Sequence, residues 1–158
     1  MKHLVWIALA GAAACSDANV AGNYTAAITN RADGCSIGWA VGESSTGIEL
    51  TVTQSGSDVT LMVNPLSLPG VFLGGLLGTN SFQGEVDGDD VSLSVKGMKD
   101  NNISTCTFKF NADIDAVQDG DTMTGRVEYR AATNGDDACG SRTGCLSVQE
   151  FNATRAPR

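Results

Sequence analysis

The chain has 158 residues and a formal net charge of −8, with 18 acidic side chains against 10 basic ones. Set apart from an export segment, that is one domain's worth of sequence, and so acidic a chain lacks the basic stripe that displaces counterions from phosphate, so nucleic acid is not an expected partner. The only histidine, His3, falls in that export segment, which leaves the remainder without an imidazole for general-base work or metal ligation.

Met1, Lys2 and His3 make a short basic start, and residues 4–14 form an uncharged apolar run of eleven. Such a run is too short to cross about 30 Å of hydrocarbon as a helix, but it suits the apolar region of a secretory signal spanning 1–14. It closes on Ala12, Ala13 and Ala14, immediately before Cys15. Small residues followed at once by a cysteine resemble the lipobox of bacterial lipoproteins. The resemblance implies Cys15 as a lipidated first residue, with the membrane as a partner through its acyl chains. Ala12 stands where the lipobox usually carries leucine, and the alternative is ordinary signal cleavage that leaves the protein secreted or periplasmic. Cysteine arithmetic favours lipidation: five thiols cannot all pair within one chain, whereas setting Cys15 aside leaves four in an oxidising compartment. Ser16 after the cysteine implies, by the same resemblance, sorting to the outer membrane. Residues 15–21 then read as a lipid-anchored linker and 22–158 as a single β-barrel domain.

From Val20 onward, apolar and polar residues alternate in short runs separated by Gly, Asp, Asn and Ser, the period that puts one set on each face of a strand. The runs begin with Tyr24, Ala26 and Ile28, then Ile48, Leu50 and Val52, then Val59, Leu61 and Val63, with Gly56 supplying a hairpin turn between the last two. Residues 64–78, NPLSLPGVFLGGLLG, break the pattern. Pro69 can open a short helix there and Gly78 can end it, with Phe72, Leu73, Leu76 and Leu77 on one stripe. This helix is expected either to plug one barrel end, or to act as a lid over an apolar pocket or a lip touching lipid beside Cys15.

Strand spacing resumes with Phe82, Gly84 and Val86, a turn at Asp87-Gly88-Asp89, and Val91, Leu93 and Val95. A long run through Cys106, Phe108, Phe110, Ala112 and Ile114 turns at Asp119-Gly120-Asp121 into Met123, Gly125, Val127 and Tyr129. Leu146, Val148 and Phe151 form the last run. Glu150 falls where an apolar residue is due, which predicts a bulge or an early strand end. Eight strands joined by hairpins predict an all-β fold, an antiparallel up-and-down barrel whose closure removes exposed edges, with a two-sheet sandwich as the alternative. An integral membrane barrel is excluded by its needs: an apolar outer band and strands of roughly nine to eleven residues. The second face here carries Ser92, Ser94 and Lys96, so the apolar face points inward.

Gly22-Asn23-Tyr24 opens the first strand where lipocalins carry Gly-x-Trp, and Arg155 lies beyond the last run, where lipocalins pack an arginine over that ring. On those residues and the strand plan the chain resembles the calycins, the lipocalins and avidins. The resemblance implies a barrel with an enclosed interior. The inward aromatics Tyr24, Phe82, Phe108, Phe110 and Tyr129 are the candidate ligand-lining residues, and the small residues Ala26, Gly84, Ala112 and Gly125 are expected to leave room for a cavity that those rings can otherwise fill.

Four cysteines allow three pairings. Cys139 and Cys145 enclose only Gly-Ser-Arg-Thr-Gly, so the expected bridges are Cys139–Cys145 and Cys35–Cys106. A four-thiolate zinc site is disfavoured, as no C-x-x-C pair is present. Asp87, Asp89 and Asp90, Asp119 with Asp121, and Asp136 with Asp137 fit no calcium loop and read as turn residues. Glu49, Glu85, Glu128 and Glu150 fall on the outer face or at strand ends rather than across a cleft. No Gly-x-Ser-x-Gly elbow or phosphate loop is present, and the sequons at Asn23, Asn102 and Asn152 carry weight only in a eukaryotic source. No catalytic residue, metal or cofactor is expected. The expected function is a non-catalytic binding module for a small hydrophobic ligand or a partner at the loops, and its rival is a structural envelope lipoprotein with a solid core.

Overall fold

The computed structural model describes residues 17–157; the expected export signal at 1–14, Cys15 and Ser16 fall outside them. The strands are β1 (Gly22–Asp33), β2 (Ser44–Ser55), β3 (Asp58–Val63), β4 (Ser81–Asp87), β5 (Asp90–Lys96), β6 (Asn101–Ile103), β7 (Cys106–Asp119), β8 (Thr122–Thr133) and β9 (Ser147–Arg155), with one helix, α1 (Leu68–Leu77), between β3 and β4. Each strand pairs antiparallel with its neighbours, β1 with β9 and β5 with β7, so eight strands close into a barrel and no sandwich seam remains. The short strand β6 is an addition, hydrogen-bonded to the start of β7 alone. It was not anticipated, because three residues are too few to show a period. All eight predicted runs are barrel strands.

Alternation sets the inside. In β7 every even position from Cys106 to Gln118 is buried, and β2 and β3 bury Ile48, Leu50, Val52, Val59, Leu61 and Val63, while Ser92, Ser94 and Lys96 face water. Among the described residues no helix is long and apolar enough to cross a membrane.

The last strand departs from expectation. It runs unbroken through Glu150, and the residues facing in are Ser147, Phe151, Ala153 and Arg155, with the half-buried Gln149 in the same phase. Leu146 and Val148 lie in the opposite phase. The irregularity is on the neighbouring strand, where the register of β1 against β9 shifts between Asn30 and Ala32. Three polar residues in the inward set disguised the true phase.

Two of the small inward residues leave no room at all. A Cβ at Gly84 would stand 2.0 Å from the Ser92 carbonyl oxygen, and one at Gly125 would stand 2.3 Å from that of Asp115. Both glycines let neighbouring backbones approach where the sheet coils tightly. They serve curvature rather than a cavity.

The disulfides are Cys35–Cys145 and Cys106–Cys139, not the pairs expected from loop length. Register explains the difference. Asp33 of β1 is paired with Ser147 of β9, so two residues beyond each places Cys35 and Cys145 face to face. Phe108 is likewise paired with Thr133, and the 3-10 segment Asp137–Arg142 after β8 folds Cys139 back onto Cys106 at the start of β7. Barrel closure, which a pairwise loop argument omits, decides the partners. On loop entropy alone, separations of 110 and 33 residues are worth about 4.8 and about 3.7 kcal/mol.

The two ends of the barrel differ. At one end β2–β3, β4–β5 and β7–β8 are joined by two-residue turns at Gly56, Gly88 and Gly120. Residues 17–21 cross this end as part of the barrel rather than as a free linker. The Ala18 amide donates to Gly88, the Gly88 amide to the Asp17 carboxylate, and the Val20 amide to Gln54, while the Val20 side chain is fully buried. Arg155 completes the closure. Its guanidinium lies 5.6 Å from the Tyr24 ring centroid and donates to the carbonyls of Asn19, Ala21 and Gly120 and to the Asp121 carboxylate. At the opposite end the connections are long: 34–43, 64–80, 97–105 and 134–146.

Candidate functional site

The long-loop end carries α1, and its sequence explains its limits. The Ser67 hydroxyl accepts from the Gly70 amide as an N-cap, Pro69 sits in the first turn, and Gly78 ends the helix in the left-handed conformation at φ 80°, its amide bonded to the Gly74 carbonyl. The helix is apolar nearly all round. Leu73 and Leu77 point into the barrel and are buried, Leu76 is half-buried, and Phe72 stands at the rim. Leu66, just before the helix, and Val71 face outward at 90 and 61 % exposure, and Leu68, 87 % exposed, stands at the lip of the adjoining cleft. The helix thus presents one face that fills the barrel end and another, apolar, that is exposed. The third expectation, a lip beside Cys15, turns on a residue outside the described ones; α1 lies at the end of the barrel opposite the one where Asp17 is bonded.

Across from α1 lies the 34–43 loop, which presents Trp39. Asp33 organises it. Its carboxylate accepts from the Ile37 and Gly38 amides at 2.7 and 3.0 Å and from the Ser147 hydroxyl at 3.0 Å. Burial alone would raise the Asp33 pKa, but the hydrogen bonds from Gly38, Ile37, Ser147 and Trp39 together hold it below its ordinary value. The Cys35–Cys145 bridge and a bond from Arg142 to the Cys35 carbonyl fix the base of the loop. Trp39 donates from Nε1 to the Ala32 carbonyl, its ring 6.0 Å from Phe72 and 5.3 Å edge-on to Tyr129.

Between loop and helix lies a cleft of about 220 Å³. Trp39, Phe72 and Tyr129 form its aromatic wall, and Ile28, Ile48, Val63, Leu68, Pro69 and Leu73 the aliphatic one. Ser45, Asn30 and Gln149 are its polar side chains, and none of its lining residues is charged. A second void of about 40 Å³ beneath it shares Ile28, Val63, Leu73 and Tyr129 and is otherwise floored by apolar side chains such as Phe82 and Phe151. The core below is therefore almost solid, and space for a ligand is at the mouth.

A polar relay runs along the mouth wall. The Tyr129 hydroxyl donates to Gln149 Oε1 at 2.9 Å, Gln149 Nε2 to Asn30 Oδ1 at 2.7 Å, and Asn30 Nδ2 to the Ala40 carbonyl at 3.1 Å. Burial raises the Tyr129 pKa, so the phenol stays neutral and remains a donor. Each amide keeps one N–H and one acceptor lone pair beyond these bonds.

A larger depression, about 720 Å³, lies on the outer wall of β5, β7, β8 and β9. It is a shallow saddle open to water, crossed by Arg126 and Asp115 at 4.0 Å, and lacks the aromatic enclosure of the mouth.

No family model, curated protein or solved structure matches the chain. The site has to be read from its own residues. Of the rings expected to line a ligand, Tyr129 faces the mouth cleft and Phe82 only the small void. Tyr24 is sealed under Arg155 at the opposite end, and Phe108 and Phe110 pack on each other at 5.4 Å beneath Arg142. Of the lid residues, Phe72 and Leu73 reach the cleft, while Leu76 and Leu77 do not line it. Trp39, Asn30 and Gln149 were missed. Trp39 had a readable signal: it is one of two tryptophans, and the other, Trp6, falls in the expected export segment.

The aspartate groups occupy turns. Asp87 to Asp90 make the β4–β5 turn, Asp119 and Asp121 flank Gly120, and Asp136 caps the 3-10 segment by accepting from the Ala138 amide and the Thr105 hydroxyl, contacts that lower its pKa. Glu49, Glu85 and Glu150 are exposed and Glu128 lies on the outer wall between Arg126 and Arg130.

Proposed function

We propose that this protein is a non-catalytic binding protein of the bacterial cell envelope, anchored by lipid at Cys15 and holding a small hydrophobic ligand at the barrel mouth. The aromatic cleft between α1 and the 34–43 loop carries the reading: it is concave, mostly apolar, and furnished with a few convergent polar groups. The strand plan and the packing of Arg155 over Tyr24 support kinship with lipocalin-like barrels. The polarity of the barrel adds an orientation. Since Asp17 is bonded at the short-turn end, a chain anchored through Cys15 would direct its mouth away from the bilayer, toward the outer-membrane periplasmic or external space.

The test is tryptophan emission. In the full chain carrying Trp6→Phe, Trp39 becomes the sole indole. Titration with benzyl alcohol or toluene should shift its emission saturably, and Phe72→Ser should weaken that response. Emission indifferent to every probe would favour the rival reading, a solid-cored envelope lipoprotein. Mass spectrometry of the purified protein checks the anchor: Cys15 should carry an acyl mass, and an unmodified thiol there would remove it.

A further inference from the structure

We infer that the mouth selects an uncharged single-ring compound bearing one neutral hydrogen-bonding group, an aromatic alcohol, phenol or amide, and rejects fatty acids and other carboxylates. The inference rests on the proposed binding role of the mouth and specifies its ligand by size, depth and charge.

Size comes first. A cavity of about 150 Å³ accommodates benzene, and the cleft measures about 220 Å³, which is room for one ring and a short substituent. Depth comes next. An extended alkyl chain needs a shaft along the barrel axis, but beneath the cleft the void is only about 40 Å³ and is stopped by Phe82 and Phe151. A ring can stay at the rim, against the face or edge of Trp39 and Phe72, where aromatic pairs gain beyond simple burial.

Charge decides the rest. Neither lysine nor arginine lines the cleft. The nearby cations are engaged elsewhere: Arg142 with the Cys35 carbonyl and the Phe108 ring, and Arg31 with Glu150 at 2.7 Å. A carboxylate entering here would lose water without gaining a counter-ion, which is strongly unfavourable. Neutral polar groups fare differently. Gln149 and Asn30 are locked in place by Tyr129 and the Ala40 carbonyl, yet each retains a donor and an acceptor. A hydroxyl or amide on the ring can use both, at no cost in reorganising the wall.

The experiment compares four probes on the full chain carrying Trp6→Phe: toluene, benzyl alcohol, benzoate and decanoate, read by Trp39 emission and by the rise in melting temperature. Benzyl alcohol is expected to bind about fivefold more tightly than toluene, the worth of one net hydrogen bond, and benzoate about a hundredfold more weakly than benzyl alcohol. Gln149→Met should reduce the ratio of benzyl alcohol to toluene affinity, a ratio that a purely structural role for Gln149 would leave unchanged. Should Gln149→Met fail to fold, the benzyl alcohol to benzoate ratio on the parent chain still decides the matter. Decanoate binding as tightly as benzyl alcohol, or benzoate matching it, overturns the selectivity while leaving the mouth as a binding site. Silence of Trp39 toward all four, with no thermal shift, overturns both.

Discussion

The two ends of this barrel are built from the same strands and closed by opposite means. The short-turn end uses two-residue hairpins, a crossing segment that buries Val20, and an arginine whose donors satisfy carbonyls that would otherwise be stranded. The mouth end has four long connections, both disulfides, one helix, and the exposed apolar side chains of Leu66, Leu68 and Val71. Short turns freeze little chain entropy, so local hydrogen bonding suffices to hold them. Long loops lose more on ordering, and here covalent bridges offset it. Loops held on a rigid frame are also where binding surfaces are usually found. The two ends thus reach stability by different means, local hydrogen bonds at one and covalent bridges at the other, and on the proposed function recognition falls to the bridged end.

Removing staples from the mouth should have the largest effect. Cys35→Ser with Cys145→Ser is expected to lower stability by about 4–5 kcal/mol and Cys106→Ser with Cys139→Ser by about 3–4, following loop length. Urea unfolding midpoints check the order, and equal losses would show that strand register, not loop entropy, dominates. Within α1 the two faces should separate. Leu77→Ala, which empties a fully buried position, is expected to lose about 3 kcal/mol. Phe72→Ser at the rim should lose less than about 1 kcal/mol yet abolish most of the Trp39 response to benzyl alcohol. At the closed end, Arg155→Ala is expected to cost about 2 kcal/mol through its unpaired carbonyl partners. Hydrogen exchange should quicken at residues 17–21 and stay unchanged at 34–43; exchange quickening equally at both ends would dissolve the division of labour.

The smallest effect is a titration. Asp33 has a folded pKa below its ordinary 3.8, so its ionised form stabilises the 34–43 turn above that pH and the contribution is lost as pH falls through the lower folded value. Trp39 emission should be constant from pH 7 to about 4 and shift below it, and Asp33→Asn should remove the step.

How far the sequence carried depends on which residues obey the binary pattern. The barrel strands before β9, unlike the short β6, were legible because Ile48, Leu50, Leu61, Leu93 and Ile114 mark one face without exception, and α1 was legible from Pro69 and Gly78. The hairpins announced themselves through Gly56, Gly88 and Gly120. The last strand reads out of phase because Ser147, Gln149 and Arg155 face inward: Ser147 bonds Asp33 at the base of the 34–43 loop, Gln149 lies at the mouth and Arg155 at the closed end. Polar residues placed inward for recognition or closure violate the rule that reveals strands. The same logic hid Trp39, which sits in a segment with no period, and Gly84 and Gly125, whose purpose is a close approach between strands that no single strand discloses. The disulfide partners were hidden because they follow from closing β1 onto β9, a property of the whole barrel.

On the proposed function, recognition belongs to the mouth alone. Nuclear magnetic resonance of the isotopically labelled protein tests it most directly, by following the Trp39 indole N–H and the Asn30 and Gln149 side-chain amides as benzyl alcohol is added. Saturable shifts are expected at those three groups, with Gln118 and the Arg155 guanidinium unmoved. Shifts centred on Gln118 and Arg155, or none at Trp39, Asn30 and Gln149 at saturating probe, would contradict it.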